Sequence, residues 1–305
     1  MTSVTLTESA KLANDELVSG VIANVITVNQ MYELLPFDDI EGNSLAYNRE
    51  LVLGDIQVAT VGDTITAKNA ATFTKVNSNL TTILGDAEVN GLIQATRSGD
   101  TDQEAVQIAS KAKSAGRSYQ TQLINGDGTS NTFFGLLNLC DSTQKVGTGV
   151  NGGALSFAFM DELLDLVIDK DGTTDYMIMP SRTIRSYKAL VRALGGMMAD
   201  DVYEMPSGSR VIAYSGVPIF RNDYLPINQV KGTGTNQTTI LAGTLDDGSR
   251  THGIVGLTAR QNAGLVIEDV GVHQSRDERI TRVKWYCGLA LFSLKGLALA
   301  DGITN

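Results

Sequence analysis

The sequence predicts a mixed α+β fold, and three unlike stretches predict it. A Thr-, Val- and Asn-rich run from Ser44 to about Leu84 alternates polar and apolar positions, as in Ile65-Thr66-Ala67 and Phe73-Thr74-Lys75-Val76. From Thr101 to Leu123 the apolar positions recur instead at helical spacing. From about 154 to 270 helical and strand-like patterns take turns. A period of two, a period of 3.6 and their alternation in one chain describe sheets covered by helices.

Taken in order, residues 1–50 read as a tethered arm. Leu12, Leu17, Val21 and Ile22 share one face of a short helix, but few other apolar anchors surround them. Such an arm needs a neighbouring surface to bury against. Leu34-Leu35-Pro36-Phe37 stops any helix, because proline disfavours the α conformation in the residue before it. The Thr-rich stretch then reads as a long hairpin with candidate turns at Gly62-Asp63 and Asn69-Ala70. Its apolar content is too thin for a closed core, so it is expected to project outward.

Thr101-Asp102-Gln103-Glu104 fits a capping box, in which Thr and Glu side chains satisfy backbone N–H groups at a helix start. Ala105, Ile108, Ala112, Ala115, Tyr119 and Leu123 form the apolar stripe, and Asn125-Gly126 is a candidate C-cap. About 24 residues at about 1.5 Å each give a rod of about 36 Å. A stripe so rich in alanine suits close packing on a sheet. Residues 141–153 read as a Gly/Thr/Ser loop and a boundary. A helix follows, with Phe157, Phe159, Met160, Leu163, Leu164, Leu166 and Val167 opposite Asp161, Glu162, Asp165 and Asp169. Tyr176-Met177-Ile178-Met179 is a short buried strand closed by Pro180, and a second helix places Ile184, Tyr187, Leu190, Val191 and Leu194 opposite Arg182, Arg185, Lys188 and Arg192. Further strands are expected at 211–214, 218–220, 239–242 and 265–268, with 280–284 and 289–299 closing the fold.

The composition is that of an ordinary folded chain. Of 305 residues 42% are hydrophobic, and no run of about 18 apolar residues suggests a membrane helix. Met1-Thr2-Ser3-Val4-Thr5 lacks the basic start of a secretory signal. Cys140 and Cys287 lie far apart without a CxxC, as expected of reduced thiols in a cytoplasmic product. The net charge of −10 gains nothing from phosphate counterion release, which disfavours sequence-specific nucleic-acid binding.

Chemical motifs mostly fail on inspection. Gly147-Thr148-Gly149-Val150-Asn151-Gly152 is a literal GxGxxG, but its lead-in, Asp141-Ser142-Thr143-Gln144-Lys145, is polar and without strand character. Started at Asp169, a calcium loop would need glycine at Thr174 and glutamate at Pro180. His252 and His273 show no paired-ligand spacing, and no GxSxG or Walker A lysine exists. A Cys/His nucleophile pair would meet only in space, so a hydrolase or dehydrogenase using Cys287 or the 147–152 glycines stays as an alternative. The basic face at Arg182, Arg185, Lys188 and Arg192 has two readings, a solvated surface or an intersubunit or phosphate contact. Arg276-Asp277-Glu278-Arg279-Ile280-Thr281-Arg282 mixes signs on one strand, which suggests ion pairs that set register.

Read in order, these parts resemble the major capsid proteins of tailed bacteriophages with the Hong Kong 97-type fold. The resemblance rests on Gly20-Val21-Ile22, the Thr-rich hairpin, the long helix running into Ile124-Asn125-Gly126-Asp127-Gly128-Thr129-Ser130-Asn131, and Gly135-Leu136-Leu137. It also rests on Tyr176-Met177-Ile178-Met179-Pro180, Gly216-Val217-Pro218-Ile219-Phe220 and Ala298-Leu299-Ala300-Asp301-Gly302-Ile303. It implies an N-terminal arm (1–44), an extended loop (45–84), a peripheral domain with a long spine helix (85–149), an axial domain (150–270) and C-terminal strands returning to the peripheral domain (271–305).

The resemblance further implies a structural subunit, without enzymatic activity or cofactor, that forms pentamers and hexamers of an icosahedral head around double-stranded DNA. Its partners would be further copies of itself, a portal, a scaffolding protein and possible cementing proteins, with DNA packaged but not read. The product would be a virion assembled in the host cytoplasm. Because the arm begins close to Met1, any scaffold is expected to be a separate protein. Lys68 and Lys75 of the loop, together with Arg182, Arg185, Lys188, Arg192, Arg276 and Arg279, are the candidate intersubunit contacts. Some members crosslink a loop lysine, but no acidic catalyst for that is evident here. The alternative within the same fold is an encapsulin-like nanocompartment that packages a cargo enzyme.

Overall fold

The structure is a computed structural model that describes residues 34–97, 103–129, 131–168, 172–193, 202–205, 208 and 210–304. The expected arm helix at 12–22, the capping residues Thr101 and Asp102, the Asp169–Asp171 turn and Leu194 lie outside the described residues.

In chain order, strand β1 (Phe37–Ile40) precedes a hairpin of β2 (Ser44–Val52) and β3 (Thr72–Asn79), and β4 (Thr81–Asn90) follows at once. Helices α1 (Gly91–Arg97) and α2 (Gln103–Asn125) come next, then a single turn, α3 (Leu136–Leu139), and the short strands β5 (Lys145–Gly147) and β6 (Gly153–Ala154). Helix α4 (Phe157–Ile168), strand β7 (Tyr176–Met179) and helix α5 (Ser181–Ala193) lead into β8 (Val202–Glu204), β9 (Arg210–Tyr214) and β10 (Val217–Arg221). The order ends with β11 (Gln229–Lys231), β12 (Gly234–Gly243), β13 (Ile254–Ala259), β14 (Leu265–Val272), β15 (Glu278–Leu291) and β16 (Leu297–Thr304).

Two main sheets form. The first runs β1-β13-β15-β14, with β4 on the other edge of β15. The second runs β5-β16-β12-β7-β10-β9-β8, with β11 added to β12 and β6 to β16. The β2–β3 hairpin is a separate two-stranded ribbon. Helix α2 lies across the first sheet, setting Ile108, Ala112, Ala115, Tyr119 and Leu123 against Ile83, Ala87, Val283, Trp285 and Cys287. Its small residues bring backbone and sheet close, and the Tyr119 ring stacks on Trp285 at 4.4 Å between centroids. The same core continues into Ile178, Phe220, Leu241, Leu297 and Leu299 of the second sheet, so the two sheets share one interior. On the far face of the second sheet, α4 and α5 cover Met177, Met179, Ile240, Ala298 and Ala300. The β9–β10 turn holds Ser215 and Gly216 at φ of 51° and 79°, the pair of positive values that a two-residue hairpin loop of the right twist requires.

Four sequence expectations change. The 141–153 stretch is no free loop: β5 and β6 within it pair in parallel with β16. Gly126 ends α2 without a positive φ. It is glycine because an added Cβ would sit 2.1 Å from the Phe133 carbonyl oxygen, where the chain turns back. The expected strands at 280–284 and 289–299 are redivided. Strand β15 is continuous to Leu291, a short turn at Leu294–Gly296 interrupts, and β16 runs on to Thr304. Apolar residues run through that interruption, so patterning alone hides the break. Finally, the closing strands part company: β15 joins the sheet under α2, whereas β16 joins the second sheet.

Ala112 is 1% exposed, and a carboxylate there would be buried without a partner. Ala112→Asp should therefore cost several kcal/mol and yield no soluble protein. Lys113→Asp, at the exposed next position, should change the stability by less than about 0.5 kcal/mol in chemical denaturation.

Candidate assembly surfaces

The hairpin is held to the body at its root. Strand β15 ends at Leu291, still in register with Ile254 of β13, and the carbonyls of Leu291 and Phe292 face the hairpin. Side chains of β2 satisfy them. Tyr47 donates its hydroxyl to the Leu291 oxygen at 2.6 Å, and Arg49 donates Nε to the Phe292 oxygen at 2.9 Å and Nη2 to Leu291. The Tyr47 ring meets Phe292 edge to face at 5.1 Å, and the Arg49 guanidinium lies over Tyr47. Beneath them Ile40, Val255, Leu257, Ala290 and Phe292 form a small core that takes in Leu45, Tyr47 and Leu80.

Beyond this root the ribbon is almost wholly exposed among the described residues. Ile56 is 93% exposed and Val58 fully exposed, and Leu51, Val52, Leu53, Val61, Ile65 and Phe73 are exposed as well. The tip is nevertheless shaped. Gln57 accepts from the Thr66 amide and hydroxyl, Asp63 accepts from the Thr60 amide and hydroxyl, and the Asp55 amide donates to the Asn69 oxygen. Those bonds to Thr60 hold the Asp63 carboxyl below its ordinary pKa. An ordered loop displaying this much apolar surface is the usual mark of a protein-contact site. Further exposed apolar side chains, Leu84 on β4 and Val270 and Val272 on β14, lie on the first sheet.

The candidate contact residues fall into three groups. Lys68 and Lys75 are exposed on the hairpin, Lys75 opposite Asn48. Arg185, Lys188 and Arg192 form an exposed crown on α5, with Arg182 half-buried beside it, while Thr183 and Tyr187 face inward. Arg276 and Arg279 are engaged within the chain: Arg276 approaches Glu278 at 3.8 Å, and Arg279 reaches Asp269 at 2.6 Å and Glu104 at 3.7 Å. Arg282 grips Asp86 with two bonds of 2.7 and 2.8 Å, and Lys284 pairs with Glu268. These pairs tie β4, β15 and β14 in one register within the chain, whereas the mixed charges were expected to set register between copies. Hydrogen bonding to Arg282 and Lys284 respectively keeps the Asp86 and Glu268 carboxyls below their ordinary pKa.

The 147–152 glycines do not form a dinucleotide site. A strand, β5, does lead into the 147–152 glycines, contrary to expectation, but the loop is filled by its own chain. A Cβ on Gly147 would sit 1.9 Å from Lys231 Nζ, and one on Gly152 would sit 2.2 Å from Gln237 Nε2. Gln237 donates to the Asn151 oxygen at 2.7 Å, and Lys231 pairs with Asp301. The glycines make room for these side chains, not for a pyrophosphate. An open groove of about 920 Å³ flanks the hairpin root, lined by residues such as Asn43, Thr82, Arg260 and Tyr286 and by no histidine or cysteine. His252 and His273 bond to Thr251 and Ser275 near the surface. Among the described residues no cluster of three His, Cys, Asp or Glu is placed to hold a metal, and no described helix is long and apolar enough to cross a membrane.

Cys140 and Cys287 are both buried and free. Burial pushes their pKa up to about 11 and about 12 respectively. At pH 8 only about 0.1% or less of either is thiolate, the reactive form. The native protein should leave both thiols unmodified by a thiol reagent at pH 8 while denatured protein reacts at two. Rapid labelling of the folded chain would contradict this packing.

Comparison with known proteins places the fold. No curated protein sequence matches. Among solved structures, the holo-SrpI encapsulin complex of Synechococcus elongatus PCC 7942 superposes with a TM-score of 0.68 at 21% identity, covering 90% of this chain and 87% of that one. The capsid of cyanophage A-1(L) gives 0.64 at 13% identity, with 90% and 92% covered. The virus-like particle of Pyrococcus furiosus gives 0.55 at 12% identity, with 94% and 98% covered. The chain thus has the Hong Kong 97-type fold shared by phage capsids and encapsulin shells, the fold of shell-forming subunits. A family model described as type 2A encapsulin shell protein, SrpI-like, matches residues 100–280, more than half of the sequence, and the chain belongs to that family.

Proposed function

We propose that this protein builds the shell of an encapsulin-type nanocompartment enclosing a protein cargo. The family match over residues 100–280 supports this reading over the phage head to which the sequence was likened, because the phage structures share the fold at only 13% identity. The observation that carries the shell itself is the hairpin: a ribbon anchored by Tyr47 and Arg49 whose apolar tip is fully displayed. Burying one such Val or Ile side chain is worth about 1.5–3 kcal/mol, and the described residues of the same chain leave the tip exposed. A neighbouring copy offers the tip a surface, and the exposed Leu84, Val270 and Val272 of the first sheet suit that contact. In this reading the ribbon of β2 and β3, spanning most of the expected 45–84, is the overlapping loop, 85–149 the peripheral domain with α2 as its spine, and 150–270 the axial domain. The portal, scaffold and packaged genome of a phage head have no part in it.

The content of the particle tests the cargo. Particles purified from the native host should contain one dominant second protein, read by mass spectrometry, and no genome-length DNA. Heads filled with DNA and carrying a portal would restore the phage reading. The tip tests the shell. Ile56→Asp combined with Val58→Asp should leave a folded subunit with unchanged far-UV circular dichroism, yet reduce the yield of closed particles at least tenfold, by about 3–6 kcal/mol of lost burial per subunit contact. Normal particles from that variant would exclude the hairpin from assembly.

A further inference from the structure

Helices α4 and α5 lie side by side on one face of the second sheet, sharing a core of Leu163, Leu164, Met177, Tyr187 and Ile240. Helix α4 packs over β16 and β12 and reaches β9 where Phe157 stacks on Tyr214, and α5 packs over β7 and reaches β9 through the Tyr187 hydroxyl, which donates to the Ala213 oxygen at 3.0 Å. Their outward crowns carry opposite charge. Glu162 and Asp165 are exposed on α4, and Arg185, Lys188 and Arg192 are exposed on α5. Among the described residues none of these five makes an ion pair within the chain, although Asp161, next to them, already accepts a bond of 2.6 Å from the Tyr214 hydroxyl.

Oppositely charged crowns on two helices suit a heterologous contact, which joins unlike surfaces of identical copies and can close into a ring. We infer that the Arg185–Lys188–Arg192 crown of one copy docks against the Glu162–Asp165 crown of the next copy around each ring of the shell. This deepens the shell reading and rests on it. Like-charged crowns would repel, so the pairing sets a basic crown against an acidic one. Its role is to choose orientation and register, while apolar contacts supply most of the affinity.

Charge reversal in the full chain tests the contact. Arg185→Glu with Lys188→Glu, or Glu162→Lys with Asp165→Lys, should each shift the ratio of shells to free subunits about tenfold toward subunits, by size-exclusion chromatography at low salt. The chain carrying all four substitutions should recover wild-type assembly. Wild-type shells together with unaffected reversal variants, or a folded four-substitution chain that stays unassembled, would overturn the contact alone. A wild-type chain that forms no shell would overturn the shell reading beneath it. Should a reversal pair prevent folding, Arg185→Gln with Lys188→Gln removes the charge without inverting it and must shift the ratio the same way.

Discussion

The whole first half of the structure depends on strand β15. Its residues from Arg279 to Trp285 are paired on both edges, with β4 on one side and β14 on the other, while Thr258 to Ile254 of β13 pair with its last residues, Cys287 to Leu291. Its inward positions, Val283, Trp285 and Cys287, form the floor on which α2 lies. Its end, at Leu291, supplies the carbonyls that Tyr47 and Arg49 capture. A buried carbonyl without a donor is costly, so the break after β15 creates a need that the hairpin root meets. One strand thereby fixes the sheet, the long helix and the position of the projecting ribbon.

That arrangement explains why the ribbon is rigid at one end and bare at the other. The root is a small apolar core with directed hydrogen bonds; the tip is a shaped loop held by Gln57, Asp63 and Asn69 among themselves. A loop that orders itself before contact loses less conformational entropy on binding than a disordered one. The same logic holds for the helical layer of the second sheet, where inward faces are fully packed and the outward crowns are charged and unlike. In both places the chain completes its own interior and leaves a defined surface for another copy.

Much of this was legible in the residues. Helix α2 was visible because Ile108, Ala112, Ala115, Tyr119 and Leu123 repeat at helical spacing and all are buried. The hairpin was visible because β-branched alternation without a core reads as a projecting ribbon. Other parts were hidden for physical reasons. Strands β5 and β6 are too short to show a period, and they exist because β16 offers them a parallel edge. Strand β13 is buried along almost its whole length, so no alternation marks it. The anchoring of Leu291 and Phe292 joins residues more than 240 positions apart through backbone oxygens, which leave no trace in side-chain patterning. The mixed charges of β15 announced ion pairs but not whether the partners were internal. Arg279 and Arg282 found theirs within the chain, whereas the α5 crown did not.

The central claim is that the hairpin tip is buried by a neighbouring copy, and amide hydrogen exchange reads this directly. Assembled particles and dissociated subunits of the same protein should be compared peptide by peptide. The account predicts that residues 53–71 exchange much more slowly in the particle, while peptides of α2 exchange alike in both. Equal exchange of the tip in the two states would contradict it.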